Sequence, residues 1–160
     1  MVVSICKLIE NILNHNDVKS IEWIFVFACI WCIGGGFGEK DGKDYRALFS
    51  NWWKSEKGKV IKFPGKGTVF DYYIDIENTK LEDWNKMATG EVVASIDTTK
   101  SIQSYTVPTA DTISAQYIMR QLIQINHSPM LVGLAGFGKT QIIKGLLNEL
   151  CGSANSEYIQ

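Results

Sequence analysis

Apolar residues fall at Ile5, Leu8, Ile9, Ile12 and Leu13, three and four apart, which predicts a first helix ending near Asn14-His15-Asn16. Asp17 can cap a second helix that is apolar nearly all round and stops at Gly34-Gly35-Gly36. A third helix is expected from about Asp44 to Ser55, where Tyr45, Leu48, Phe49, Trp52 and Trp53 repeat the helical spacing. The three helices carry no obvious chemistry and read as a lid or docking unit.

The pattern then changes. Val60-Ile61-Lys62-Phe63, the turn formers Pro64-Gly65-Lys66-Gly67, and Thr68 to Ile74 suggest a β-hairpin. Asp71, Tyr72, Tyr73 and Asp75 invite a catalytic reading, but alternation between two strand faces explains them better. From Glu77 to Lys100 the chain is mostly polar and reads as a connector or loosely ordered insert, with Trp84 as an anchor. At Val107-Pro108 the pattern tightens. Thr109 or Asp111 can cap a helix reaching about Asn126, with Ile118, Leu122 and Ile125 on one face. Pro129-Met130-Leu131-Val132 reads as a short buried parallel strand. Ile142, Ile143, Leu146, Leu147 and Leu150 give a last helix one apolar face.

Between that strand and that helix lies GLAGFGKT, residues Gly133 to Thr140, a full Gly-x-x-x-x-Gly-Lys-Thr loop. Gly133, Gly136 and Gly138 let the backbone bend and turn its N–H groups inward toward an anion. The helix start adds its positive dipole end. Lys139 would reach the β- and γ-phosphates of a nucleotide, and the Thr140 hydroxyl would help hold Mg²⁺. Phe137 is a bulky occupant of a variable loop position and could crowd the nucleotide side.

A length of 160 residues with 46% hydrophobic content suits one domain, and a net charge of −1 argues against a nucleic-acid groove or membrane-surface patch. Four cysteines without paired spacing favour a reducing compartment over a secreted disulfide framework. The start, with Lys7 and Glu10 and no small-residue cleavage site, does not read as a signal peptide. Ile24 to Ile33 is an uninterrupted apolar run, about half the length of a membrane span. A buried core helix is the expectation, a membrane-associated segment the alternative. Cys29 and Cys32 have the spacing of half a zinc site, but nothing completes it, so buried free thiols are expected. Gly34-Gly35-Gly36-Phe37-Gly38 does not satisfy a dinucleotide fingerprint and reads as a helix stop. His15 and His127 stand alone in polar contexts and are assigned no role.

Taken together, the segments resemble a dynein heavy chain at the junction of its second and third AAA+ modules. IFVFACIWCIGGGFGEKDGKDYRALFSNWW is similar to the second module's lid, and KFPGKGTVFDYYID with Trp84 resembles the segment before the third module. VPTADTISAQYIMRQLI followed by PMLVGLAGFGKT resembles that module's opening helix, first strand and Walker A loop. The DYR…FSNWW and VFDYYID stretches are closest to axonemal, outer-arm-type chains. The resemblance implies an α/β fold: a helical lid subdomain over 1–58, a β-hairpin and connector over 59–106, and the start of a P-loop ATPase domain over 107–160. It implies ATP or ADP and Mg²⁺ as ligands, with Gly133, Gly136, Gly138, Lys139 and Thr140 at the phosphates and metal. By motif position, Val107 and Pro108 lie near the adenine.

The resemblance also implies a microtubule motor of the ciliary or flagellar axoneme, within the cytoskeleton. Its partners would be the other AAA+ modules, intermediate and light chains, and microtubules. Walker B, sensor and arginine-finger residues do not appear, so no catalytic residue is assigned and this chain is not expected to be a motor on its own. The alternative is a short stand-alone P-loop protein that binds nucleotide without efficient hydrolysis. The loop's strand would lack its sheet neighbours, so the region after Val107 is expected to be marginally ordered in isolation.

Overall fold

The structure, a computed structural model, describes residues 2–12, 18–56, 61–75, 78–95 and 107–152. The chain divides into two compact units, Met1–Asp83 and Trp84–Gln160.

The first unit starts with α1 (Val2–Ile12) and α2 (Val18–Cys29), the latter running into one π-helical turn, Ile30–Gly34. Asp17 lies outside the described residues. The apolar run is core: Ile24, Val26, Phe27, Ala28, Cys29 and Ile30 are all buried, with Phe25 turned outward. No helix among the described residues is long and apolar enough to cross a membrane. A small hairpin follows, β1 (Glu39–Lys40) with β2 (Lys43–Asp44), turning through left-handed Asp41 and Gly42. The Asp44 carboxylate then accepts from the N–H groups of Arg46 and Ala47 and starts α3 (Tyr45–Glu56).

The predicted hairpin between residues 60–63 and 68–74 is not what forms. Ile61 and Phe63 are buried without entering a ladder. Lys54 Nζ donates to the carbonyls of Pro64 (2.9 Å) and Gly67 (2.7 Å) and pins the intervening turn. Thr68 and Asp71 then form a capping box: Asp71 accepts from Thr68 N, and the Thr68 hydroxyl from Phe70 N. This winds Val69–Asp71 into a 3₁₀ turn. The strand that emerges, β3 (Tyr72–Asp75), pairs forward with β4 (Lys80–Asp83), antiparallel, with Tyr72 opposite Asp83 and Ile74 opposite Leu81. Left-handed Thr79 and the Asn78 side chain, which donates to Asp75 (2.8 Å), shape the turn. Asp71, Tyr72 and Asp75 thus have structural duties, the Tyr72 hydroxyl donating to Lys66 O (2.8 Å). One apolar cluster unites these pieces: Leu8, Val26, Ala28, Ile30, Trp53, Ile61, Phe63, Val69, Phe70 and Tyr72. Burying such side chains is worth about 1.5–3 kcal/mol each, enough to organise a small unit.

The second unit is helical where described. The polar stretch read as a connector instead contains β4 and α4 (Trp84–Ser95); residues 96–106 lie outside the described residues. Trp84 is 1% exposed and meets Tyr117 edge-on, ring centroids 5.4 Å apart. Tyr117 belongs to α5 (Ala110–Gln124), which Thr109 caps reciprocally with Thr112. It ends where Asn126 turns left-handed and His127 N donates back to Leu122 O (2.9 Å). The buried line on α5 is Ile113, Ser114 and Met119; Ile118, Leu122 and Ile125 are half-buried. The last helix is α6 (Lys139–Gly152), with Leu146 its most buried residue.

Residues 129–132 are not a strand. Among the described residues the sheets are two antiparallel pairs in the first unit, and none offers a ladder to this segment. Met130 and Val132 are 83% and 82% exposed. An apolar strand buried on both faces needs neighbours that supply hydrogen bonds as well as cover, and without them the segment stays outside a sheet.

Candidate functional site

Residues 133–140 connect that segment to α6 and lie on the surface of the second unit. Two of the three glycines are demanded by backbone conformation: Gly136 has φ +86° and Gly138 φ +70°, where a side chain would be strained. Gly133 has no such requirement. Lys139 opens α6, and Ile142 N donates to Gly138 O (3.0 Å) as the first helical bond. Among the described residues, no protein acceptor takes the N–H groups of residues 134–138. With the free N–H groups of the first helical turn, they form a concentration of unpaired donors on one loop, which suits an anion.

Lys139 is already folded over the loop. Its Nζ donates to Leu134 O (2.6 Å), and its stem crosses Gly133, whose added Cβ would lie 3.9 Å from Lys139 Cδ. The loop is therefore closed around its own cation, with the ammonium on the same short arc as the unpaired donors. Thr140 is exposed on the first turn. Phe137 is 71% exposed.

The resemblance implies that Val107 and Pro108 lie near the adenine of a nucleotide held by the loop. The helices explain how they come to share an end of the unit. Gln116 Nε2 on α5 donates to Ile142 O on α6 (3.1 Å), and Arg120 further along α5 binds Glu149 further along α6 (2.7 and 2.5 Å). Both contacts advance in the same direction, so α5 and α6 run parallel. The segment before α5 and the loop before α6 accordingly lie at the same end of the pair. Val107 is exposed and Pro108 half-buried; among the described residues no hydrogen bond joins either to the loop. The Gln116 contact went unforeseen. Its sequence signal is Gly145, a glycine inside a helix, whose Cβ would sit 2.8 Å from Gln116 Nε2.

The remaining candidates form no metal-binding group among the described residues. Cys29 and Cys32 are free thiols in the first unit, and burial pushes both upward in pKa, the opposite of a reactive or metal-binding cysteine. Among the described residues no group of three or more His, Cys, Asp or Glu could hold a metal ion. His15 lies outside the described residues.

Comparison with known proteins matches residues 1–86, more than half of the chain, to the family described as "Dynein heavy chain AAA lid domain". Residues 94–159 match "P-loop containing dynein motor region". The chain is 39% identical over 150 residues to the dynein alpha chain of the flagellar outer arm of Chlamydomonas reinhardtii, covering 94% of this chain and 3% of the relative. It is 39% identical over 156 residues to human dynein axonemal heavy chain 9, with the same two shares. The flagellar outer-arm beta chain of Chlamydomonas reinhardtii is 35% identical over 164 residues, covering 98% of this chain and 4% of the relative. The chain thus spans only a few hundredths of the length of the curated relatives it matches.

Proposed function

The chain belongs to the dynein heavy chains, and from that premise we propose that residues 133–140 bind the phosphates of ATP or ADP as part of an axonemal motor. The observation that carries this is the loop itself: unpaired N–H groups, two obligatory glycine turns and Lys139 gathered on one arc at a helix start. The backbone donors and the Lys139 ammonium would take the phosphate oxygens, the lysine exchanging its bond to Leu134 O for them. Thr140, exposed on the first turn, would hold Mg²⁺ together with the nucleotide; the ion would neutralise phosphate charge. Val107 and Pro108 would sit on the adenine side.

Residues 1–58 would then be the lid of one AAA+ module and residues 107–160 the start of the next, the second and third in the motor. The relatives are named for the flagellar outer arm and the axoneme, and the whole protein would work there; the resemblance would give it the other modules, intermediate and light chains, and microtubules as partners. No residue here is assigned to hydrolysis.

The test is Mg²⁺-dependent binding of a fluorescent ATP analogue to the whole chain, with Lys139→Ala as control. Saturable binding weakened at least about tenfold by the substitution supports the assignment, the size expected for losing a charge-assisted contact. Binding that Lys139→Ala leaves intact would put the nucleotide elsewhere.

A further inference from the structure

The contact between Gln116 and the first turn of α6 has no counterpart in the phosphate-loop motif, yet it joins the two parts of the candidate site. We propose that Gln116 is a positioning residue that ties the Val107-Pro108 end of α5 to the phosphate loop, so that base and phosphates are gripped as one ligand. This rests on the nucleotide-binding reading above.

Three observations carry it. Gln116 lies about 9 Å along α5 from its start, and its amide donates to the carbonyl of Ile142, only three residues after Lys139. That carbonyl belongs to the turn whose N–H groups face the phosphates, so the bond fixes the turn against α5. Gly145 leaves the space this requires: any side chain there would begin 2.8 Å from the Gln116 amide nitrogen. A glycine within a helix costs about 1 kcal/mol relative to alanine, so the close approach is bought with helix stability. Third, the parallel run of α5 and α6 puts residues 107–108 and 133–140 at one end, where a shift between the helices changes the span from base to phosphates. Arg120 and Glu149 also link the helices, but on the exposed surface, where such pairs contribute little. The half-buried Gln116 bond is therefore the one that sets the register.

A positioning role separates from a merely structural one by comparing two ligands. Tripolyphosphate engages only the loop; ATP engages both ends. Affinities of both, with Mg²⁺, are measured on the whole chain for the native sequence, Gln116→Ala, Gly145→Ala and the double variant, with helix content checked by circular dichroism. Gly145→Ala displaces the same amide from the other helix, so the proposal does not depend on one variant folding. In each variant the preference for ATP over tripolyphosphate is expected to fall about fivefold, the worth of one hydrogen bond, with tripolyphosphate affinity unchanged. The double variant is expected to lose no more than either single one. Equal weakening of both ligands, or an unchanged preference, would overturn the positioning role while leaving the loop assignment standing. A native chain that binds neither ligand would overturn both.

Discussion

Replacing Gly34 with alanine would put a methyl carbon 2.7 Å from both Phe49 Cε1 and Phe70 Cζ. Neither ring can easily give way. Phe49 is packed against Phe37, Trp53 and Phe70 at centroid distances of 5.5, 5.7 and 5.9 Å, and the Arg46 guanidinium lies 4.3 Å over the Phe70 ring. Overpacking of this kind costs about 1–3 kcal/mol. Against it, alanine gains up to about 1 kcal/mol in helical propensity. With two rings in the way the cost falls in the upper half of that range, about 2–3 kcal/mol, and the net is a loss of about 1–2 kcal/mol. Gly36, two residues on, has nothing within 4 Å of its would-be Cβ, so Gly36→Ala should be neutral or slightly stabilising. A gap of about 2 kcal/mol between the two variants corresponds to about 8–16 °C in melting temperature for a unit of this size. Urea and thermal unfolding followed by tryptophan fluorescence would read it, because Trp31 and Trp53 lie in the same cluster. If Gly34→Ala were as stable as Gly36→Ala, the packing of α3 and the 3₁₀ turn on the end of α2 would be wrong.

Trp84→Ala should destabilise the second unit by about 3–5 kcal/mol, because it removes a buried ring packed on Tyr117; loss of α5 helicity by circular dichroism checks it. Amide hydrogens of Leu131 and Val132 should exchange without appreciable protection, since no ladder holds them, and strong protection would mean that a sheet forms there. The Cys29 and Cys32 thiols, raised by burial, remain protonated in the folded chain after the unfolded chain has begun to ionise. Stability of the first unit should therefore fall as pH rises through the ordinary thiol range, and fall less in a Cys29→Ala/Cys32→Ala variant.

The helices were legible because their boundaries carry local chemistry, Thr109 before α5 and the glycines that close α2, and because the apolar run before those glycines is too short to span a membrane and reads best as core. Which flank of α3 turns inward was less legible. Its apolar spacing admits Tyr45, Leu48 and Trp52 as readily as Phe49 and Trp53, yet the former are exposed and Trp53 is buried. Ser50 completes the inward line because Val69 N needs its hydroxyl, a demand made by a segment nineteen residues away. The strand pairing was misread for a related reason. Ile61 and Phe63 alternate like a strand, but alternation records burial, not hydrogen bonding. The Thr68-x-x-Asp71 capping signature, visible in the sequence, was the better guide. The phosphate loop was legible in full as a motif. The lysine's bond to Leu134 O was not, because it depends on how the loop folds back on itself, and the Gln116 tether was not, because it depends on how α5 and α6 lie together.

Backbone amide shifts of the isotope-labelled chain, titrated with Mg²⁺-ADP, test the central claim most directly. The account predicts saturable shifts centred on Gly136, Gly138, Lys139 and Thr140, the groups that would receive the phosphates. No shift at these amides, or shifts confined to the first unit, would contradict it.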